Sequence, residues 1–239
     1  VEPIWLSKTE TANRVRGRIE SVLDWAAVRG HRSGDNPARW KGHLAGVLPA
    51  PGAVARRSHH PALPWAQVAA FMIELRMRKD VAARALEFTI LTAARTGEVV
   101  GARWSEIDLE TNTWTIPAAR MKSHREHRVP LSPQAVELLS GLYREGGNSH
   151  VFIGARTGAA LGNMAMPDVL QQMEQSDVTV HGFRSTFRDW AAEATAHPNH
   201  VVEQALAHTI GNAVEAAYRR GDLFEKRRHL MNDWAQFCG

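Results

Sequence analysis

The sequence HGFRSTFRDWAAEATAHPNHVVEQALAHTIGNAVEAAY, residues 181–218, decides the fold, because the rest of the chain can be understood as supplying partners to it. Residues three apart on a helix are neighbours, so His181 and Arg184 are predicted to share one helix face. A second face of the same helix is apolar at helical spacing and predicts core; it carries Phe183, Phe187, Trp190, Ala191 and Ala194. The stretch ends on Tyr218, one of only two tyrosines in the chain. Imidazoles, a guanidinium and a phenol in one segment favour phosphate chemistry without a metal.

The composition is that of an ordinary globular protein. The 239 residues are 44% hydrophobic and 23% charged, which is enough for a substantial core. No apolar run approaches the ~20 residues needed to span a bilayer, and no secretory leader is visible. The single cysteine, Cys238, excludes an intramolecular disulfide and a cysteine-based metal site. We therefore expect a cytosolic location, and Val1 in place of Met favours a fragment of a longer chain.

The residues before the opening stretch predict a small helical piece, a linker and a larger domain. Residues 9–28 carry an apolar stripe typical of a helix. Residues 48–64 are rich in Pro, Gly and Ala and are typical of a linker, in which His59 and His60 are expected to be solvated. Further helices are predicted from Pro64, from about Asp80, from Glu98, over 133–144 and 167–175, and from about Leu223. Arg95 falls at a helix break after an apolar run, so we expect it to be partly buried with an acidic partner or an anionic ligand.

Only one region predicts β-strands. Residues 107–109 and 113–116 alternate around a Thr111-Asn112 turn, and residues 127–131 are predicted to pair with them. Between the strands lies a basic tip, residues 120–125, which is either a charged loop that protects the sheet edge or a hairpin that presents a lysine to a DNA groove. We discount a metal at His124 and His127, because no carboxylate or cysteine stands at suitable spacing. Tyr143 is expected at a helix end in a structural role.

The net charge of +4 is mild, and the basic residues are concentrated at 120–128, 219–220 and 226–228. Most charge runs are solvated faces, and nucleic-acid binding is favoured only if these patches meet in space.

The order and local frames of these residues resemble the tyrosine recombinases, the phage-type integrases. Residues 91–98, LTAARTGE, look like the first-arginine motif, residues 181–184, HGFR, like the second, and residues 206–208, LAH, with Tyr218 downstream, like the third. Residues 36–43, NPARWKGH, and 227–234, RRHLMNDW, resemble the satellite-phage and genomic-island branch. The catalytic set implied by the resemblance is Arg95, Lys122, His181, Arg184, His208 and Tyr218. Ala93 departs from the glycine that is usual in the family and is expected to restrict that turn.

The resemblance implies a mainly α fold with a small antiparallel β-sheet. Residues 63–239 would be the catalytic domain, 49–62 a linker, and 1–48 the C-terminal part of a helical domain that binds the core DNA site. The rest of that domain and an arm-binding domain would be absent.

The resemblance also implies the chemistry. Tyr218 would be the nucleophile that forms a 3′-phosphotyrosyl link and expels a 5′-hydroxyl. Arg95 and Arg184 would hold the non-bridging oxygens, and His208 would add a donor. His181 would accept the phenolic proton, Lys122 would protonate the leaving oxygen, and Glu98 would orient Arg95. No metal and no cofactor are expected.

The expected partner is double-stranded DNA carrying attachment sites, contacted by Arg120, Arg125, Arg219 and Arg220. We also expect a homotetramer on DNA, a monomer when the protein is free, and accessory DNA-bending proteins. No membrane partner is expected, and the protein would be associated with the bacterial nucleoid when it is bound to DNA. The C-terminal helix would pack either on its own domain or on a neighbouring protomer. Two rival functions are relaxation of DNA by a type IB topoisomerase-like enzyme and DNA binding without catalysis.

Overall fold

The computed structural model describes residues 1–54, 61–208 and 221–239. The chain divides into two compact units, Val1–His59 and His60–Gly239.

The first unit is built around one long helix, α1 (Thr9–Val28), followed by the short α2 (Pro51–Val54). Trp5 stacks on Trp40 with ring centroids 5.4 Å apart and donates its indole N–H to the Pro49 carbonyl at 2.9 Å. The prediction of a helix over residues 9–28 is confirmed. Its apolar stripe does not face a core within this unit, because Ile19 and Val22 are 44% and 63% exposed.

The second unit is a cluster of helices around α4 (Val81–Thr92), whose residues 85–92 are all buried. Asp80 caps α4, because its carboxylate accepts the Ala83 N–H at 2.9 Å. Around α4 pack α3 (Val68–Met77), α5 (Thr96–Val100), α6 (Pro133–Ser140), α7 (Ala165–Gln172), α8 (Gly182–Ala194) and the C-terminal α10 (Phe224–Phe237). A further helix, α9 (Asn199–Ala205), packs against α8 and α10.

A small sheet of three antiparallel strands covers one side of this cluster: β1 (Ile107–Asp108), β2 (Thr113–Ile116) and β3 (His127–Pro130), in that order. Trp114 of β2 lies opposite Val129 of β3 and packs against Phe88 of α4 with ring centroids 5.4 Å apart. The expected fold class, mainly α with a small antiparallel sheet, is confirmed.

The C-terminal helix α10 packs on its own unit. Trp234 is fully buried among Phe187, Trp190 and Phe237, and its indole N–H donates to the Ile90 carbonyl at 2.8 Å. Of the two arrangements left open by the sequence, packing on its own domain is therefore the one observed.

Over residues 181–208 the chain forms two helices, α8 and α9, because it is extended at Thr195 and at Pro198 between them. Two details of the sequence-based expectations are wrong. Ala194, expected in the core, is exposed at the end of α8. Helix α6 ends at Ser140, before Gly141, and Tyr143 beyond it is 74% exposed, so the side chain is not part of the core.

No helix within the described residues is long and apolar enough to cross a membrane.

Candidate active site

The first element of the site is the break between α4 and α5. Ala93 is the C-cap residue of helix α4, and its φ of 50° lies in the left-handed region where an alanine is strained. The chain then turns so that Arg95 becomes the N-cap residue of α5. Its backbone N–H donates to Glu98 Oε2 at 2.9 Å, and its Nη1 lies 2.7 Å from Glu98 Oε1. Arg95 is thus partly buried against an acidic partner, as we expected from the sequence.

The second element is Arg184, which α8 places in the interior with only 5% of its surface exposed. Nη1 donates to the Ala93 carbonyl, and Nη2 donates to the Leu206 carbonyl at 2.5 Å. Burial lowers the pKa of Arg184 to about 10; the charge of Arg95 acts in the same direction, and the carboxylates of Glu98 and Glu203 oppose it.

The two guanidinium groups meet at the turn that follows α9. Arg95 Nη2 donates to the carbonyls of Leu206 and Ala207 at 3.3 and 3.1 Å, so both arginines share the Leu206 oxygen. Among the described residues, each guanidinium uses three of its five N–H groups, which leaves two donors on each. Within the same ranges no carboxylate contacts Arg184, whose three partners are two backbone carbonyls and the imidazole of His208. A buried cation with donors to spare and no carboxylate partner is typical of an anion site.

His208 completes this cluster from the end of the same turn. Its Nε2 lies 3.2 Å from Arg184 Nη2, and its Nδ1 lies 2.7 Å from Glu203 Oε2 on α9. Glu203 was missed by the sequence analysis. The signal was its position five residues before His208, but only the turn after α9 brings the carboxylate back to the ring. In this turn the backbone N–H of His208 also donates to the backbone carbonyl of Glu203.

His127 of β3 is a second residue that the sequence analysis underrated, as it considered this side chain only as a metal ligand. Burial lowers the pKa of His127 to about 4; the charge of Arg227 adds to this effect, and Glu98 and a hydrogen bond to the Ala205 backbone oppose it. The ring is therefore a neutral group that hydrogen-bonds to the backbone of Ala205, the last residue of α9. Strand alternation was the available signal, because His127 shares a sheet face with the buried Val129.

His181 lies at the start of α8, three residues before Arg184 in the sequence. His181 is the N-cap residue of α8, is exposed, and accepts the Arg184 N–H on its carbonyl at 3.1 Å. Gly182, which follows it, packs directly on the backbone of Pro61 and Ala62, and a Cβ at this position would overlap the Pro61 carbonyl oxygen. The glycine of the HGFR sequence is therefore needed for close backbone approach.

The basic tip between β2 and β3 differs from the expectation. Arg120 does not lie at an exposed tip: its guanidinium pairs with Glu106 and donates to the Glu98 carbonyl, and only 20% of its side chain is exposed. Met121 is buried beside it, whereas Lys122 and Arg125 are exposed on the connection. The structure therefore brings together Arg95, Glu98, Arg184 and His208, while within the described residues no hydrogen bond or ion pair ties Lys122 to them.

Other predicted site residues fall outside the described residues: Tyr218, Arg219 and Arg220, together with the linker residues His59 and His60. In the ranges that are described, no three His, Cys, Asp or Glu side chains form a group that could hold a metal ion.

Comparison with known proteins gives a consistent result for both units. The sequence profile of the phage integrase family matches residues 65–223, and that of the phage integrase central domain matches residues 1–43. The integrase of Enterobacteria phage P4 is 30% identical over 96% of this chain and 55% of its own length. Prophage integrase IntZ of Escherichia coli K12 is 36% identical over 76% of this chain and 46% of its own length. The chain thus spans about half the length of these curated relatives.

Solved structures show the same fold at low sequence identity. A lambda integrase (residues 75–356) dimer bound to a COC′ core site matches with a TM-score of 0.60 and 16% identity, over 85% of this chain and 73% of that chain. The integrase from mycobacterium phage Brujita matches with a TM-score of 0.55 and 18% identity, over 96% of this chain and 75% of that one.

Proposed function

The chain belongs to the phage integrase family, and from this premise we propose that it is the catalytic part of a site-specific DNA recombinase. It would cut and rejoin DNA strands through a covalent 3′-phosphotyrosyl intermediate and so integrate or excise a prophage or genomic island. The observation that carries the proposal is the meeting of the Arg95 and Arg184 guanidinium groups at the Leu206 carbonyl.

The charge of this cluster favours a phosphodiester as its ligand. Placing two arginines on one carbonyl oxygen costs free energy, because their charges repel and Arg184 is removed from water. Glu98 neutralises Arg95 directly, whereas no carboxylate in the described ranges contacts Arg184. An anion that accepts the remaining donors of both groups would offset this cost, and the planar fork of a guanidinium matches two phosphate oxygens.

Arg95 and Arg184 would act on the non-bridging oxygens of the scissile phosphate. Negative charge on these oxygens increases in the transition state, so donors that are held in place beforehand stabilise it more than the ground state. Removing one donor of this kind typically costs about 2.7–4 kcal/mol of transition-state stabilisation. Glu98 would orient Arg95 through its two contacts, and His208 would add a donor beside Arg184.

Tyr218 would attack the phosphorus. The bond from the phenolic oxygen to phosphorus forms as the bond to the 5′-oxygen breaks, so the 3′-phosphate stays on the protein. His181 would accept the phenolic proton, and Lys122 would donate a proton to the departing 5′-oxygen. Because the covalent link conserves the phosphodiester bond energy, rejoining to a second strand needs no nucleotide cofactor, and the two arginines would neutralise the charge that a metal neutralises elsewhere.

The domain assignments and partners are part of the same proposal. Residues 1–48 would be part of the core-site DNA-binding domain, 49–62 the linker and 63–239 the catalytic domain, supported by the two family matches and by the division into two units. The partner would be double-stranded DNA, with exposed Arg125, and Arg219 and Arg220, contacting phosphates. We do not assign Arg120 to DNA, because its guanidinium is held by Glu106 and the Glu98 carbonyl and its side chain is only 20% exposed. The chain would act as a tetramer on DNA together with accessory DNA-bending proteins. A solved lambda integrase is a tetramer bound to a Holliday junction.

The guanidinium pair is tested by cleavage of nicked duplexes that tile the junctions flanking the element that encodes the chain. We expect Arg184→Lys and Arg95→Lys each to slow formation of the covalent adduct by about 10²–10³-fold. Arg76→Lys is the matched control, because Arg76 pairs with Glu87 away from the cluster and this change should leave the rate unaltered. Unaltered cleavage by folded Arg184→Lys and Arg95→Lys proteins would refute the proposed site. Strand transfer between two duplexes, rather than relaxation of one supercoiled plasmid, separates recombination from the topoisomerase-like rival.

A further inference from the structure

A chain of polar contacts runs outward from the arginine cluster. His208 Nε2 lies 3.2 Å from Arg184 Nη2, and His208 Nδ1 lies 2.7 Å from Glu203 Oε2. The second oxygen of the same carboxylate, Oε1, accepts from Arg188 Nε at 2.7 Å. Arg188 follows Arg184 by one turn of α8, so the two arginines approach the imidazole and its carboxylate from one helix.

The contacts fix which nitrogen of His208 carries the hydrogen. A guanidinium has only donors, so the Nε2 that faces Arg184 must offer its lone pair. A neutral imidazole has one N–H, which therefore lies on Nδ1 and donates to the Glu203 carboxylate. The other tautomer would set two donors against each other at Nε2 and leave a lone pair facing a carboxylate at Nδ1.

Packing does not hold the ring by itself. The His208 side chain is 41% exposed, and it follows Ala207, whose φ of 49° ends the turn in a left-handed conformation. The side chain of Glu203 is 28% exposed and sits on α9, so it provides a fixed acceptor for the ring. The carboxylate therefore anchors the Nδ1 side of the ring and, together with the Arg184 Nη2 donor, sets the tautomer.

We propose that Glu203 is a positioning residue of the recombination reaction, acting through His208; this rests on the proposed function. It holds Nδ1–H so that Nε2 points at the phosphate position beside Arg184. When a phosphate oxygen arrives there, it accepts the Arg184 Nη2 donor in place of Nε2. The lone pair of Nε2 then takes a proton from solvent, and the new N–H donates in a hydrogen bond to the phosphate. The Glu203 carboxylate stabilises the resulting imidazolium, which is the role of a third group that orients a catalytic histidine.

The residues around Glu203 allow matched variants. Glu203→Ala removes the acceptor, whereas Glu203→Gln keeps an oxygen that can accept the Nδ1–H and loses the charge. Arg188→Ala removes the outer ion pair without touching His208; Arg188 is 55% exposed in its side chain, so this pair contributes little.

The test measures the tautomer and the reaction separately in the full 239-residue chain. The ¹⁵N chemical shifts of His208, assigned by its loss in a His208→Asn variant, report which ring nitrogen carries hydrogen. We expect the Nδ1–H form in the wild type, in Glu203→Gln and in Arg188→Ala. In Glu203→Ala we expect a mixture, because the ring is no longer held with Nε2 against the Arg184 donor. Single-turnover cleavage of the nicked duplexes should fall by about 10–100-fold in Glu203→Ala, be largely rescued in Glu203→Gln and stay near the wild-type rate in Arg188→Ala.

The outcomes distinguish this inference from the proposed function. Wild-type adduct formation together with a wild-type rate and tautomer in Glu203→Ala would overturn the role of Glu203 and leave the proposed function standing. A fall of the same size in Arg188→Ala would also overturn it, since the effect would then belong to the surface ion pair. If the wild type forms no adduct, the proposed function is overturned and the role of Glu203 with it, whatever the ¹⁵N shifts show.

Discussion

His127 links the stability of the second unit to pH. Its pKa is lowered from 6.5 to about 4 in the folded protein, first by burial and then by the charge of Arg227. Above pH 6.5 His127 is neutral in both the folded and the unfolded chain, so its titration does not reduce the free energy of unfolding. As the pH falls towards about 4, the unfolded chain binds a proton that the folded chain does not, and the free energy of unfolding decreases. The complete loss is about 3 kcal/mol, of which about 2 kcal/mol is reached at pH 5.

The change to make is His127→Gln, which cannot titrate. We expect the free energy of unfolding of the wild type to fall by about 2 kcal/mol more than that of the variant between about pH 7.5 and about pH 5. Urea denaturation followed by circular dichroism measures both differences, and comparison within each protein cancels the direct cost of the substitution. An equal loss in wild type and variant would refute the reasoning, as would an imidazole that titrates near 6.5 in the folded protein by NMR.

Three further predictions concern residues outside the reacting set. Asp80→Ala should lower the free energy of unfolding by about 1 kcal/mol in urea denaturation, because the cap of α4 is lost, and Asp80→Asn should restore most of it; equal losses would contradict the cap. Arg227→Met should cost about 2–4 kcal/mol in the same assay, because the carbonyls of Arg128 and Asp222 lose their buried donor, while exposed Lys226→Ala should change little. Burial raises the pKa of the Cys238 thiol, so a thiol reagent should label it only after unfolding, and fast labelling of the native protein would show that α10 does not protect it.

Local patterns were sufficient to predict much of the second unit. The apolar run of α4 and the glycine turn after it placed Arg95 at a helix break with an acidic partner, and the structure has this arrangement with Glu98. Alternation predicted β1, β2 and β3 and the pairing of β3 with the strands before it, and the structure has all three in one antiparallel sheet. These features depend on neighbours in the sequence, which periodicity and turn chemistry report directly.

Features that depend on distant contacts were not predictable in the same way. The shared Leu206 carbonyl joins a helix break, a buried helix and a turn that are far apart in the chain, so neither it nor the role of Glu203 follows from spacing. Arg120 was assigned to an exposed tip because nothing local indicates that Glu106 and the Glu98 carbonyl lie within its reach. The apolar stripe correctly predicted that α1 is a helix, but the sequence of a helix does not indicate which surface its apolar face packs against.

The measurement that tests the central claim most directly uses the two tyrosines of the chain. The wild type, Tyr218→Phe and Tyr143→Phe proteins are incubated with the nicked duplexes and resolved on a denaturing gel. We predict a covalent protein–DNA adduct in the wild type and in Tyr143→Phe, carrying the 3′-phosphate end of the cut strand, and none in Tyr218→Phe. Tyr143 is a stringent control because it is exposed and therefore accessible to DNA. An adduct that persists in Tyr218→Phe, or one that carries a 5′-phosphate end, would contradict the assignment of this chain to 3′-phosphotyrosyl chemistry.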